Sequence, residues 1–303
     1  MIIAVVAIGV IFFIIYDRAR KRKIRKLTEL IDRILHGEEG VSIEECKEGE
    51  IAVLASEIQK MTIRLKEQSD ALMADKRDLA NALYDISHQL RTPLTSMNIE
   101  VEMLSKEDLD YERRLKLKRD LKSSLGRIDW LVESLLKLSK IDAKTASFEQ
   151  EEVKVRELVE KSAEPLLVSM ELKDIDFHME VQDETYIGDL RWSMEAIGNL
   201  LKNAVEHTAV GGKISVKSEE NPLFTEITVS DDGEGFCEED IPNLFKRFYR
   251  GKNASEQSIG IGLALARSVI QEQNGTIKAM NLKTPNGEIQ GACFVVRFYK
   301  SVI

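Results

Sequence analysis

Leu65, Leu72, Leu79 and Ile86 recur every seven residues, with Leu83 and Leu90 between them at the second core position. A seam of this period belongs to a long helix that needs a partner helix to bury it. A second long helical pattern follows a charged turn at Lys106 to Asp110. Its apolar residues are Leu115, Leu121, Leu125, Ile128, Leu131, Leu135, Leu138 and Ile141. Two antiparallel helices cannot cover both stripes alone. The pattern therefore predicts two chains pairing into a dimeric antiparallel four-helix bundle.

After Ala143 the texture changes. Strand-like runs sit at Ile175 to Val181, Ile214 to Ser218, Phe224 to Ser230, Thr276 to Leu282 and Ala292 to Tyr299. Helical patterns cover Val155 to Leu172, Asp189 to His207 and Gly262 to Gln273. Helices and mixed strands interleaved in this way predict a C-terminal α/β sandwich domain. A chain with 43% hydrophobic and 31% charged residues can bury such a core. Its net charge of −9 argues against nucleic acid as a partner, since phosphate backbones need a basic face. Cys46, Cys237 and Cys293 form no CxxC pair and are expected as unpaired thiols.

Met1 to Tyr16 is uncharged and almost wholly apolar, and Arg18, Arg20, Lys21, Arg22, Lys23, Arg25 and Lys26 follow it. As a helix this run spans about 24 Å, a little under the roughly 30 Å hydrocarbon core. A signal peptide carries its positive charge before the apolar stretch, and here the charge comes after. The expectation is a single transmembrane helix with the N-terminus outside and the cationic flank in the cytoplasm. A truncated start also fits a run of this length. No sizeable extracellular domain is expected ahead of it.

From Ile24 to Leu35 apolar residues return at helical spacing, Gly37 to Gly49 is an acidic connector, and helical spacing resumes at Ile51. Two short amphipathic helices just inside a membrane resemble a HAMP linker. A plain coiled-coil stalk accounts for the same residues. The expected divisions are a transmembrane helix at 1–16, a juxtamembrane linker at 17–66, paired helices at 67–146 and the α/β domain at 147–303.

Four clusters carry chemistry. Ser87-His88-Gln89-Leu90-Arg91-Thr92-Pro93-Leu94 lies inside the heptad helix. Leu83, Ile86 and Leu90 hold the seam, which leaves His88 on the solvent side. A neutral imidazole is a good nucleophile near pH 7, although a lone surface histidine is as readily without function. Pro93 should bend the helix one turn beyond it. Asn199 and Asn203 are four apart on a helix, so their amides share a face. An amide oxygen can ligate Mg²⁺, and mid-helix asparagines are otherwise unfavourable.

Asp231-Asp232-Gly233-Glu234-Gly235 ends an apolar strand. A carboxylate there can accept from an exocyclic amine such as that of adenine, although Asp and Gly are also plain turn formers. Gly260-Ile261-Gly262-Leu263 opens a helix whose free N–H groups can cradle phosphate. Between them, Phe245-Lys246-Arg247-Phe248-Tyr249-Arg250 precedes the polar Gly251 to Ser258. This segment reads as a mobile lid whose cations can face a triphosphate.

In their order and spacing these clusters resemble the sensor histidine kinases of two-component systems, over Asp75 to Tyr299. Ser87-His88 with Arg91 to Leu94 resembles the phosphoacceptor box. Asn199 to Thr208 resembles the N box, with Asp189 as its lead-in. Asp231 to Gly235 and Gly260 to Leu263 resemble the two glycine boxes, and Phe245 to Phe248 the F box.

The resemblance implies ATP-dependent phosphorylation of His88 and transfer of the phosphoryl group to an aspartate on a response regulator receiver domain. It implies Asn203 as principal Mg²⁺ ligand with Asn199 beside it, and Asp231 on the adenine amine. Gly233 and Gly235 would shape the base pocket, Gly260, Gly262 and Leu263 would border the phosphates, and Lys246, Arg247 and Arg250 would be lid cations. Thr92 matches the position that places water for dephosphorylating the partner. Two residues depart from the pattern: Gln89 stands where an acid is usual, and Glu206 where a base is frequent. A gyrase- or Hsp90-type ATPase and a sensing pseudokinase are the competing readings. The histidine box speaks against the first, and intact Asn203, Asp231 and glycine boxes against the second.

Overall fold

The computed structural model describes residues 2–35, 50–106, 109–252 and 258–300. Cys46 and the connector from Gly37 to Gly49 lie outside the described residues. The chain divides into two compact units, residues 1–81 and 82–303.

In the first unit, α1 (Ile2–Leu35) is one continuous helix that carries both the apolar run before Asp17 and the helical pattern from Ile24 to Leu35. No proline or glycine stands between Tyr16 and Ile24, so nothing breaks it. Val6 to Tyr16 projects large exposed apolar side chains. Among the described residues no helix is long and apolar enough to cross a membrane. The apolar stretch of the described helix, residues 2–16, would rise about 22 Å before the charged run begins, short of the roughly 30 Å hydrocarbon core. The helix that starts at Glu50 continues without interruption to Leu104 as α2.

In the second unit, α2 passes through Pro93, which is buried, and α3 (Tyr111–Asp142) follows. On α2, Leu83 is exposed while Ile86 and Leu90 are half-buried. On α3, Leu115, Leu125, Val132 and Leu136 are exposed, whereas Leu131, Leu138 and Ile141 are buried. One stripe of α3 is therefore spent on the C-terminal domain and the other faces outward.

The C-terminal domain is a two-layer α/β fold. Its main sheet runs β2 (Asp176–Glu180), β4 (Lys213–Glu220), β5 (Phe224–Asp231), β7 (Ile289–Tyr299) and β6 (Gly275–Lys283), in that spatial order. β2 pairs parallel to β4, and the other neighbours are antiparallel. Alternation along the strands turns Ile214, Val216, Ile227, Val229, Phe294, Val296 and Phe298 inward. Against them lie α6 (Leu190–His207) and α7 (Gly262–Glu272), and α4 (Val155–Ala163) packs on α6. Ala196, Ile197, Leu200, Leu201 and Ala204 give α6 a fully buried face.

The helical pattern expected over Val155 to Leu172 is split. Pro165 opens a 3-10 turn at Glu164–Leu166, after which α5 covers Leu167–Leu172. A small antiparallel sheet of β1 (Glu151–Lys154) and β3 (Thr185–Gly188) adds to the predicted strands.

Candidate functional site

Helix α6 is held at its start by Asp189, whose Oδ1 accepts from Trp192 N at 2.9 Å. This N-cap satisfies one of the otherwise unpaired amides of the first turn. Asp189 Oδ2 accepts from Glu149 N at 2.9 Å, which ties the segment after α3 to the same helix. Three turns on, Asn199 and Asn203 are half-buried on one face, and Asn199 Nδ2 donates to Glu195 O at 2.8 Å.

Facing them is the start of α7. A Cβ on Gly262 would stand 2.6 Å from Asn199 Oδ1, so the close approach of the two helices needs a glycine there. Gly260, with φ +76°, has no room either, since a Cβ would lie 2.4 Å from Tyr249 O. Phe248 N donates to Gly260 O at 2.8 Å and closes the neck of the segment 249–259. Phe248 has φ +61°, an uncommon conformation for an aromatic residue. At the same neck, Asp240 accepts from Tyr249 Oη at 2.6 Å and from Lys252 N at 2.9 Å. These bonds hold the Asp240 carboxyl below its ordinary range, Tyr249 contributing most. Residues 253–257 of the expected lid lie outside the described residues.

These elements border a cleft of about 600 Å³. Asn199, Asn203, Glu206 and His207 of α6 line it, with Gly260, Gly262 and Leu263 at the start of α7. Gly235 and Phe236 supply another part of the wall, and Arg250 a cation. Asn281 fixes that part of the wall: its Oδ1 accepts from Phe236 N at 2.7 Å and its Nδ2 donates to Phe236 O at 2.8 Å. The helical pair closes the remaining side with Thr92 and Pro93 of α2 and Arg127 and Trp130 of α3.

Not every expected residue meets in this cleft. Asp231 and Gly233 lie next to its wall rather than in it, in the turn that leads to Gly235. Asp231 is 4% exposed, and its Oδ1 accepts from Gly233 N at 3.0 Å and from Ala292 N at 3.4 Å. Burial raises its carboxyl above the usual range, while those two amides and His207 act in the opposite sense. Lys246 and Arg247 are exposed and outside the lining. His88 is exposed and also outside it, with half-buried Gln89 beside it. Thr92, one turn on, is in the lining, and its Oγ1 donates back to His88 O at 3.3 Å. The cleft thus reaches within one helical turn of the histidine on the same chain.

The structure adds contacts that no motif announced. Lys137 Nζ donates to Glu195 Oε2 at 2.8 Å, and Lys202 Nζ lies 4.6 Å from the centre of the Trp130 ring. Both join α3 to α6. Cys293 is buried, and burial pushes its thiol up to about 11, so at neutral pH it is an unreactive thiol.

Among the described residues no group of three or more histidine, cysteine or acidic side chains could hold a metal ion by itself. The asparagine pair still fits Mg²⁺ of the kind that arrives with a nucleotide, because that ion takes most of its ligands from phosphate and water.

Comparison with known proteins agrees with this architecture. Residues 78–144 match the His Kinase A (phospho-acceptor) domain model. Residues 188–301 match the model of histidine kinase-, DNA gyrase B- and HSP90-like ATPases. Sensor histidine kinase YclK of Bacillus subtilis is 26% identical over 98% of this chain and 62% of its own length. Signal transduction histidine-protein kinase/phosphatase MprB of a Mycobacterium species is 29% identical over 92% of this chain and 53% of its own. The chain thus spans little more than half the length of these curated relatives.

Two solved structures share the fold at 21% identity. Histidine kinase ThkA in complex with response regulator protein TrrA matches with a TM-score of 0.60 over 78% of this chain and 66% of its own. Histidine kinase AdeS of Acinetobacter baumannii matches with a TM-score of 0.57 over 71% and 98%. With a phosphoacceptor helix pair followed by an ATPase-type domain, the chain belongs to the sensor histidine kinases of bacterial two-component systems.

Proposed function

We propose that this chain is an ATP-dependent protein-histidine kinase that phosphorylates His88 and passes the phosphoryl group to an aspartate of a response regulator. The carrying observation is the single cleft that has Asn199, Asn203, Gly260 and Gly262 on one side and Thr92, one turn from His88, on the other. A ring nitrogen of His88 attacks the γ-phosphorus, the bond to the bridging oxygen breaks, and ADP leaves. The second ring nitrogen then loses its proton. Asp231 Oδ2 accepts from the adenine amine while Oδ1 is steadied by Gly233 and Ala292. The N–H groups at the start of α7 and Arg250 address the phosphates. Asn203, with Asn199 beside it, would hold Mg²⁺ brought by the nucleotide, which would supply neutralisation of phosphate charge.

The partners follow the same reading. ThkA is described in complex with a response regulator, which supports a receiver domain as acceptor here. MprB is named a kinase/phosphatase, and Thr92 is the residue through which this chain would dephosphorylate its regulator. The exposed apolar stripes of α2 and α3 support a homodimer whose four helices cover one another. The apolar residues ahead of Asp17, followed by a cationic run, support a membrane anchor with the rest of the chain on the cytoplasmic side.

Incubation of the full chain with Mg²⁺ and γ-labelled ATP should give an acid-labile, base-stable phosphoprotein. His88→Ala should abolish the label while ATP still binds. Label that persists in this variant would refute the assignment of His88.

A further inference from the structure

We propose that Arg127, on the second helix of the pair, contacts the phosphates of the bound nucleotide from outside the ATP-binding fold. A triphosphate in the cleft then ties α3 to α6 and to Arg250. The inference rests on the nucleotide reading above and adds a residue that belongs to none of the motifs.

Three observations lead to it. First, Arg127 lines the same cleft as Asn199, Asn203, Gly260, Gly262 and Arg250, and it does so from α3. Second, α3 is a fixed platform there. Leu131, Leu138 and Ile141 are buried against the domain, Lys137 bonds Glu195, and Lys202 sits over the Trp130 ring. Trp130 is three residues from Arg127, so the helix presents Arg127 across the cleft at a set height.

Third, the charges converge in a way that favours an anion. Arg127 is half-buried, and burial first, then the positive charge of Arg250, hold its guanidinium below the ordinary range. Arg250 is exposed at the same cleft; two guanidinium groups lining one cleft repel each other, and a polyphosphate between them offsets that cost.

Nucleotide occupancy and the docking of α3 are then one linked equilibrium. Whatever loosens α3 lowers triphosphate affinity, and the triphosphate holds α3 in place by the same factor.

Calorimetric titration of the full chain in detergent micelles tests this, with Mg²⁺ and a non-hydrolysable ATP analogue on one hand and adenosine on the other. Arg127→Gln keeps most of the stem and removes the charge. It should weaken the analogue on the order of tenfold or more, the loss expected for one charge-assisted hydrogen bond, and leave adenosine unchanged. Arg127→Lys should recover part of the loss, because a point charge replaces the fork.

Undiminished analogue affinity in Arg127→Gln, with Arg250→Gln weakened, would overturn the inference and leave the nucleotide site standing. Equal weakening of the analogue and adenosine would also overturn it, since a contact to phosphate cannot act on adenosine. If the parent binds no nucleotide, the proposed function fails and this inference with it. Should Arg127→Gln not fold, Arg127→Lys decides: a partial loss confined to the analogue supports the contact, and full affinity overturns it.

Discussion

Arg247 Nη2 donates to Asp142 Oδ1 at 2.6 Å, joining the segment before the cleft to the last residue of α3. The guanidinium of Arg247 is thus directed to the helical pair, whereas Arg250, three residues on, lines the cleft. Both partners of the ion pair are close to half exposed, so solvent screens it and its contribution is about 0.2–1 kcal/mol. Arg247→Ala should lower stability by no more than that and change triphosphate affinity by less than about tenfold. Arg250→Ala should weaken the triphosphate more. Denaturant melts and calorimetry of the two variants decide the point, and a larger affinity loss in Arg247→Ala would reverse the assignment.

Asp231 leads to a pH prediction. Its ionised form accepts from the adenine amine, and burial raises its carboxyl above the ordinary 3.8. ATP affinity should therefore be level near neutrality and fall on acidification sooner than an ordinary carboxyl would require. Asp231→Asn should bind more weakly at neutral pH and lack that acid step. The sign for stability is opposite. Between 3.8 and the raised value the folded chain binds more protons than the unfolded one. Asp231 therefore favours folding below that window, and this contribution is lost as pH rises through it. Affinity titrations of both proteins across mildly acid pH check the first statement.

Gly262 gives a steric prediction. An alanine Cβ would stand 2.6 Å from Asn199 Oδ1, and the amide is the part that can yield. Gly262→Ala should turn that amide away and weaken Mg²⁺-dependent ATP binding, while the domain melts close to the parent. In contrast, Leu200→Ala removes a fully buried side chain beside Asn199 and should cost about 2–5 kcal/mol of stability. The two variants separate damage to the cleft from damage to the core. A Gly262→Ala protein with parental affinity would show that Asn199 takes no part.

What could be read from the sequence divides along physical lines. The heptad leucines and the period-two strands announce themselves because burial repeats at the period of the element. β1 and β3 are four residues each, and Glu-Glu-Val-Lys shows no alternation to find. The expected helix over Val155 to Leu172 ignored Pro165, a residue that cannot continue a helix without cost. Asn199, Gly260 and Gly262 were legible because amides and glycines are unfavourable in or beside a helix unless something requires them. Arg127 and Lys137 carried no such signal, since arginine and lysine are ordinary on a helix surface. Their importance depends on Arg250 and Glu195, which only the fold brings near.

Gln89 is where the chemistry of the site and the pattern of the family part company. Attack by one ring nitrogen of His88 leaves a proton on the other, and that proton must depart. A carboxylate at position 89 could take it, but an amide can only orient the ring. Gln89 is half-buried next to exposed His88, so solvent reaches the imidazole. Water can then accept the proton at neutral pH, which makes a base helpful without being indispensable. A positioned general base contributes about 10²–10⁴-fold, so the parent should autophosphorylate slowly rather than not at all. Gln89→Glu should raise the initial rate at saturating ATP, with ATP affinity unchanged because position 89 lies outside the cleft lining. The gain should diminish as pH falls and the new carboxyl protonates. An equal or lower rate in Gln89→Glu would mean that proton removal does not limit the reaction. A parent that binds ATP yet never labels His88 would make this chain a sensing pseudokinase.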